Sequence, residues 1–151
     1  MEDKINDDLK QAMLAKDTQR VTVLRAIKSA ITYAKVAPGS AGTSVALDDN
    51  AVLAIVSKEA KKRQESADSY TAAGSRERAD AELSEKAIIE EYLPAQLGED
   101  ELLALVKEAI AGLDEVSPKA MGQVISQVKA KAGTAADGAT VARLAKQELA
   151  K

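Results

Sequence analysis

At 151 residues and a formal net charge of −3, the chain suffices for one domain or two small ones, and it is not a polycation. It has no cysteine and no histidine, which excludes a disulfide framework, a zinc site, a cysteine nucleophile and a Ser-His-Asp triad. Because only 2% of the residues are aromatic, the core must be Leu, Ile, Val and Ala from closely packed helices.

The first residues predict one helix or two. Ile5, Leu9, Ala12 and Met13 have the spacing of an amphipathic helix that runs to about Ala15. Asp17 can cap a second helix, although the pattern could equally continue as a single bent helix. The stripe of this second segment is Arg20, Leu24, Ile27, Ile31 and Ala34.

A stretch without periodicity follows. Its Pro, Gly and Ser content predicts a mobile loop over residues 37–46. No strand precedes it and no Gly-Lys-Ser/Thr follows it, so a phosphate-binding P-loop is not expected.

The next two helices are predicted to form an antiparallel hairpin. Asp48 or Asp49 caps the third helix, which runs to Ala73 and ends at a left-handed Gly74. The fourth helix starts at Ser75 after a tight turn. Its predicted apolar side consists of Ala79, Leu83, Ala87, Ile88 and Tyr92.

The third helix carries the densest basic patch of the chain. It consists of Lys58, Lys61, Lys62 and Arg63. Glu59 and Glu65 partly neutralise it, so it is either a solvated helix face or a contact for a partner or nucleic acid.

Pro94 marks a domain boundary. Proline disfavours a helical conformation at the residue before it, so the fourth helix should end at about Leu93. The prediction is an all-α protein, with an N-terminal domain of long helices over residues 1–94 and a three-helix domain over residues 95–151.

The C-terminal domain contains strong signals for the start and end of each of its helices. Its first helix is closed by Gly112 and carries Leu102, Leu105, Val106, Ala109 and Ile110. Ser117 is predicted as the N-cap of the second helix, with Pro118 at its first position and Gly133 at its end. Asp137 and Gly138 start the third.

This domain has a basic side. Residues 116–136 contain no acid, whereas residues 99–115 contain six acids and one lysine. Because this domain has no aromatic side chains for base stacking, it would have to recognise RNA by its phosphate backbone and its shape. The candidate RNA-binding residues are Lys119, Lys129, Lys131, Arg143 and Lys146.

Neither a signal peptide nor a membrane-spanning stretch is predicted. The chain begins Met-Glu-Asp-Lys-Ile and has no long apolar run, so we expect a cytoplasmic protein that does not bind membranes. No catalytic residue, metal or cofactor is predicted, although a carboxylate metal site or an acid–base pair of Asp, Glu and Lys stays open.

Several stretches, in order from end to end, resemble the YqeY-like family. They are residues 9–17, 20–25, 58–66, 91–97, 121–124 and 136–138. Residues 99–151 are also similar to the tail of the GatB subunit of the glutamine-dependent aminoacyl-tRNA amidotransferase, a carbon–nitrogen ligase with glutamine as amido-nitrogen donor.

The resemblance implies an all-α protein with a three-helix tail. In GatB the corresponding tail helps to bind tRNA, and the chemistry belongs to other domains and subunits. The family usually has Lys-Gly-Arg or Gly-Arg before Ala-Asp-Gly. Here Gly133, Thr134 and Ala135 stand there, so a cation that contacts phosphate is missing from this turn.

Two functions compete. The first is a non-catalytic module or adaptor that binds tRNA or amidotransferase subunits. The second is a protein-interaction module unrelated to RNA, in which the hairpin and its basic patch dock a partner. A third, an autonomous carbon–nitrogen ligase, has neither a nucleotide-binding loop nor an amidase nucleophile motif to support it.

Overall fold

The computed structural model describes residues 1–37 and 46–151 and is all-α over these ranges, as predicted. The first four helices are α1 (Glu2–Leu14), α2 (Thr18–Val36), α3 (Asp49–Ala72) and α4 (Arg76–Glu90). Then come α5 (Glu99–Ala111), α6 (Met121–Ala132) and α7 (Gly138–Leu149), with 3-10 helices at Pro118–Ala120 and Gly133–Ala135. The predicted mobile loop lies, except for its two end residues, outside the described residues.

The chain divides into two compact units, which we call unit 1 (Met1–Leu93) and unit 2 (Pro94–Lys151). Each has a core of its own, made of aliphatic side chains apart from Tyr92 in unit 1. The division falls next to the predicted boundary. Independent folding of residues 1–94 and 95–151 stays a prediction.

α1 and α2 are two helices and not one bent helix. Lys16 adopts a left-handed backbone with φ 57°, which stops α1, and the Asp17 carboxylate accepts from the Arg20 N–H at 3.1 Å to start α2. At the opposite ends Lys35 contacts Glu2 at 2.7 Å, so the two helices are antiparallel.

The core of unit 1 takes one side of each helix. Ile5 and Leu9 of α1 meet Leu24 and Ile27 of α2, and α3 adds Val52 among others. Met13, predicted for the same stripe, is instead exposed. It lies one position beyond the buried Ala12, about 100° further around the helix, and therefore faces outward from the core.

α3 and α4 pack against each other as the predicted hairpin. The Asp48 carboxylate accepts from the Ala51 N–H at 2.7 Å, and Gly74 takes the left-handed conformation with φ 78°. The predicted apolar side of α4 is right for Ala79, which is buried, and wrong for Leu83 and Ala87, which are exposed; Ile89 is buried although it was not predicted.

α4 ends at Glu90, three residues before the predicted end. Glu91, Tyr92 and Leu93 continue as tight turns, with each N–H donating to the carbonyl three residues earlier. This tight last turn ends at Leu93, the residue before Pro94.

Unit 2 is a bundle in which α5, α6 and α7 pack on one another in pairs. Leu102, Val106 and Ala109 of α5 are buried, as predicted. The Asp137 carboxylate accepts from the Thr140 N–H at 3.0 Å, and Gly133 ends α6 with φ 56°. Ser117 makes no side-chain capping bond, because the 3-10 turn at Pro118 comes before α6.

Candidate functional site

The best-connected polar cluster of unit 1 joins α2 to the turn after α4. Two Arg20 guanidinium nitrogens donate to the two Glu91 carboxylate oxygens at 2.7 and 3.1 Å. This fork lowers the pKa of Glu91 and raises that of Arg20. Arg20 was predicted within the stripe of α2, yet its guanidinium binds Glu91, the residue that follows α4.

A second pair lies beside it. The Tyr92 hydroxyl donates to the Asp8 carboxylate at 2.5 Å, and Lys4 donates to the same carboxylate at 3.0 Å. Hydrogen bonds from Tyr92 and Lys4 hold the pKa of Asp8 below its usual value, whereas burial and the bond to Asp8 raise the pKa of Tyr92. The Lys4 ammonium also lies 4.8 Å from the centre of the Tyr92 ring.

The segment after Pro94 is held by the turn before α7. The Leu97 N–H donates to the Ala135 carbonyl and the Gln96 side chain donates to the Thr134 carbonyl, both at 2.8 Å. The backbone carbonyls of Thr134 and Ala135 therefore fix residues 96 and 97 within unit 2. Two of the stretches that carry the family resemblance, residues 20–25 and 91–97, meet at the Arg20–Glu91 pair, so these two residues have a structural role.

The basic patch of α3 is divided by its packing. Arg63 is half-buried and faces α4, where its guanidinium lies 3.7 Å from Glu82 and 3.3 Å from Glu85. Lys62 pairs with Glu59 at 3.0 Å on its own helix. Lys58 and Lys61 are exposed and form no ion pair with another described residue.

The five candidate cations of unit 2 also fall into two groups. Lys131 pairs with Glu108, and Arg143 pairs with Glu99 at 2.9 Å, so both form ion pairs with acidic residues of α5. The other three are exposed and have no ion pair within the described part of the chain. They are Lys119, Lys129 and Lys146.

These cations do not form one compact cluster. Lys129 and Lys131 are two residues apart, about 200° around α6, so they lie on different sides of that helix. Lys119 lies in the 3-10 turn before α6, whereas Lys129 lies eight residues beyond the start of that helix, about 12 Å along its axis. Such a spacing does not suit a single phosphate group, but it suits an extended polyanion.

Within residues 1–37 and 46–151, no group of three acidic side chains is placed to hold a metal ion. No helix in the same ranges has the length and apolar character required to cross a membrane.

The chain matches the Yqey-like protein family over residues 2–149. It belongs to that family. The match spans both units, as the resemblance of the separate stretches had predicted.

A relative in Pyrenophora tritici-repentis is named altered inheritance of mitochondria protein 41, mitochondrial. It is 28% identical to this chain over 135 residues, which cover 85% of the chain and 71% of the relative. Because that protein is named mitochondrial, the expected cytoplasmic location of this family member stays a prediction.

Proposed function

We propose that this protein is a non-catalytic tRNA-binding adaptor that contacts RNA phosphates through unit 2. The observation that carries the proposal is that Lys119, Lys129 and Lys146 are exposed and form no ion pair with another described residue, although the unit as a whole is slightly acidic. Lys131 and Arg143, the other two candidate cations, pair with Glu108 and Glu99 and so neutralise part of the acidic charge of the unit.

The similarity of residues 99–151 to the GatB tail supports tRNA as the RNA and a glutamine-dependent amidotransferase as the associated system. We assign no step of the carbon–nitrogen ligase reaction to this chain. Its most strongly hydrogen-bonded carboxylates, Asp8 and Glu91, have lowered pKa values and are held by Tyr92 and Arg20. Such groups are poor general acids at neutral pH.

The test is a salt series of tRNA binding with the full chain. A surface that uses three lysines should give a log–log salt slope of about −2 to −3, because each neutralised phosphate contributes about 0.7 to 0.9. A slope near zero, or no binding at low salt, contradicts the proposal.

Matched charge reversals locate the contact. Lys129→Glu and Lys119→Glu should each weaken binding by a similar factor for all tRNA sequences, since phosphate contacts carry no sequence information. Lys107→Glu is the control, because Lys107 is an exposed lysine of α5 outside the candidate group. If all three variants behave alike, unit 2 has no defined RNA-binding surface.

The alternative function is a protein-interaction module, and one observation favours it. Lys58 and Lys61 are exposed on α3 while Arg63 contacts α4, so the two lysines form an exposed cationic edge. A complex with purified amidotransferase that is lost in Lys58→Glu/Lys61→Glu, formed by a chain that shows no salt-sensitive tRNA binding, would support this alternative. A complex that requires tRNA would support the RNA proposal.

A further inference from the structure

A groove on the outer side of unit 1 is left without a packing partner among the described residues. It lies between α1 and α2, has a volume of about 760 Å³, and is lined by Leu9, Met13, Arg25, Lys28, Ser29, Thr32, Tyr33 and Val36. The RNA proposal uses none of these residues, and neither does the α3 edge, so this inference stands apart from both.

Exposed apolar surface is concentrated in this groove. Met13, Tyr33 and Val36 are 51%, 71% and 65% exposed. They are three of the six exposed large apolar side chains in the described ranges. Single exposed apolar residues are ordinary, but several on one concave surface mark a binding site.

One polar group of the groove lining is hydrogen-bonded within its own helix. The Thr32 hydroxyl donates to the Lys28 carbonyl at 2.9 Å, so this hydroxyl offers its donor to its own backbone. Among the lining residues Leu9 is buried, whereas Met13 and Tyr33 are exposed. Methionine and tyrosine adapt well to apolar partners, because one is flexible and the other is amphipathic.

The charge of the groove is of one sign. Arg25 and Lys28 are its only ionisable lining residues apart from Tyr33, and both are exposed and form no ion pair with another described residue. Lys10 of α1, three residues before Met13, adds a third exposed cation one helical turn away. A partner must therefore place carboxylates against these cations and apolar side chains against Met13, Tyr33 and Val36.

The shape fits a helix. From Arg25 to Val36, α2 offers about 17 Å of length, which is three helical turns. Two antiparallel helices present a groove into which a third helix packs by the usual ridge-and-groove contacts.

We infer that the α1–α2 groove binds an acidic amphipathic helix of a partner protein. Its apolar residues, spaced at i, i+3 or i+4 and i+7, contact Met13, Tyr33 and Val36. Its carboxylates contact Arg25 and Lys28.

The probe is a synthetic helical peptide of about 18 residues, with leucines at this spacing and glutamates on both flanks. A second peptide has the same leucines and lysines in place of the glutamates. Binding to the full chain is measured by fluorescence anisotropy, and the contact is mapped by amide chemical shifts. We expect the acidic peptide to bind at least about tenfold more tightly and to shift amides of α1 and α2.

Two variants and two controls separate charge from apolar contact. Arg25→Glu/Lys28→Glu should remove the preference for the acidic peptide, whereas Arg76→Glu/Arg78→Glu makes the same charge change at exposed residues of α4 and should keep it. Tyr33→Ser should weaken both peptides. Leu83→Ser, at an exposed leucine of α4, should weaken neither.

Three outcomes would overturn the inference. The first is equal binding of both peptides, or none. The second is displacement of the acidic peptide by tRNA at low salt, which would make the groove a nucleic-acid site. The third is a dimer in sedimentation that Tyr33→Ser dissociates, which would make the occupant a second copy of this chain.

Discussion

Replacing Tyr92 by phenylalanine isolates the contribution of one hydrogen bond. The ring of Tyr92 is buried in the core of unit 1, and its hydroxyl reaches the Asp8 carboxylate at 2.5 Å. Tyr92→Phe keeps the ring and removes only the donor. We expect the free energy of unfolding of unit 1 to fall.

The size of the loss in unfolding free energy depends on the charge and exposure of Asp8, the acceptor of the Tyr92 hydroxyl. A hydrogen bond to a charged group contributes about 1.5–3 kcal/mol. The Asp8 side chain is 34% exposed and keeps its contact with Lys4 at 3.0 Å, so water and the lysine replace part of the lost bond. We therefore expect a loss of about 1–2 kcal/mol. For a unit of this size that lowers Tm by about 5–10 °C.

The loss should depend on pH in a defined direction. The pKa of Asp8 is lowered in the folded chain, first by the bond from Tyr92, so the stabilisation is complete above the unfolded pKa of about 4. It disappears as pH falls through the lowered folded pKa. The difference in Tm between Tyr92→Phe and the parent should accordingly stay constant at neutral pH and shrink as pH falls below about 4.

Tyr33→Phe is the matched control for thermal denaturation, because the Tyr33 side chain is largely exposed. It should change Tm little at any pH. The reasoning is refuted if the two variants lose the same stability, or if the effect of Tyr92→Phe is as large at acid pH as at neutral pH.

Three further changes test other parts of the molecule. Leu102→Ala should cost unit 2 about 2–5 kcal/mol and leave amide exchange of unit 1 unchanged; a parallel fall in both units would mean that they unfold together. Arg20→Lys keeps the charge but loses the fork to Glu91, so urea unfolding should show a loss of about 0.5–1 kcal/mol, and none if the fork is only a surface contact. Ala135→Arg should strengthen tRNA binding and steepen the salt slope by about 0.7–0.9; unchanged binding would mean that a cation on this turn does not reach phosphate.

The parts of the fold that local chemistry determines were predictable. Asp17, Asp48 and Asp137 cap helices because a short carboxylate before an apolar stripe satisfies free N–H groups within three residues. Gly74 and Gly133 end helices in conformations that other residues adopt with strain. These are short-range effects, and the sequence alone contains both partners.

The buried side of α4 was harder to predict, because its helix has few large apolar residues. Leu83 fits a stripe with Ala79, yet the side that meets α3 carries the half-buried Glu82 and Glu85 opposite Arg63. A pattern that counts only apolar residues misses a side that is packed through an arginine.

The polar contacts between distant residues could not be predicted from local sequence. Tyr92 and Asp8 are 84 residues apart, and Arg20 and Glu91 are 71 apart, so nothing in the neighbourhood of one indicates the other. Likewise Lys131 and Arg143 carry the right charge for RNA, but only the fold shows that acids of α5 lie beside them. The apolar pattern assigns Met13 to the core, so the sequence does not indicate the α1–α2 groove.

The distribution of aromatic residues gives the molecule an internal label. Tyr33, Tyr70 and Tyr92 all belong to unit 1, and the chain has no tryptophan. Tyrosine emission and near-ultraviolet circular dichroism therefore follow unit 1 alone, whereas the far-ultraviolet helix signal sums both units. A heat scan that records both signals from one unlabelled sample thus distinguishes the melting of unit 1 from that of unit 2.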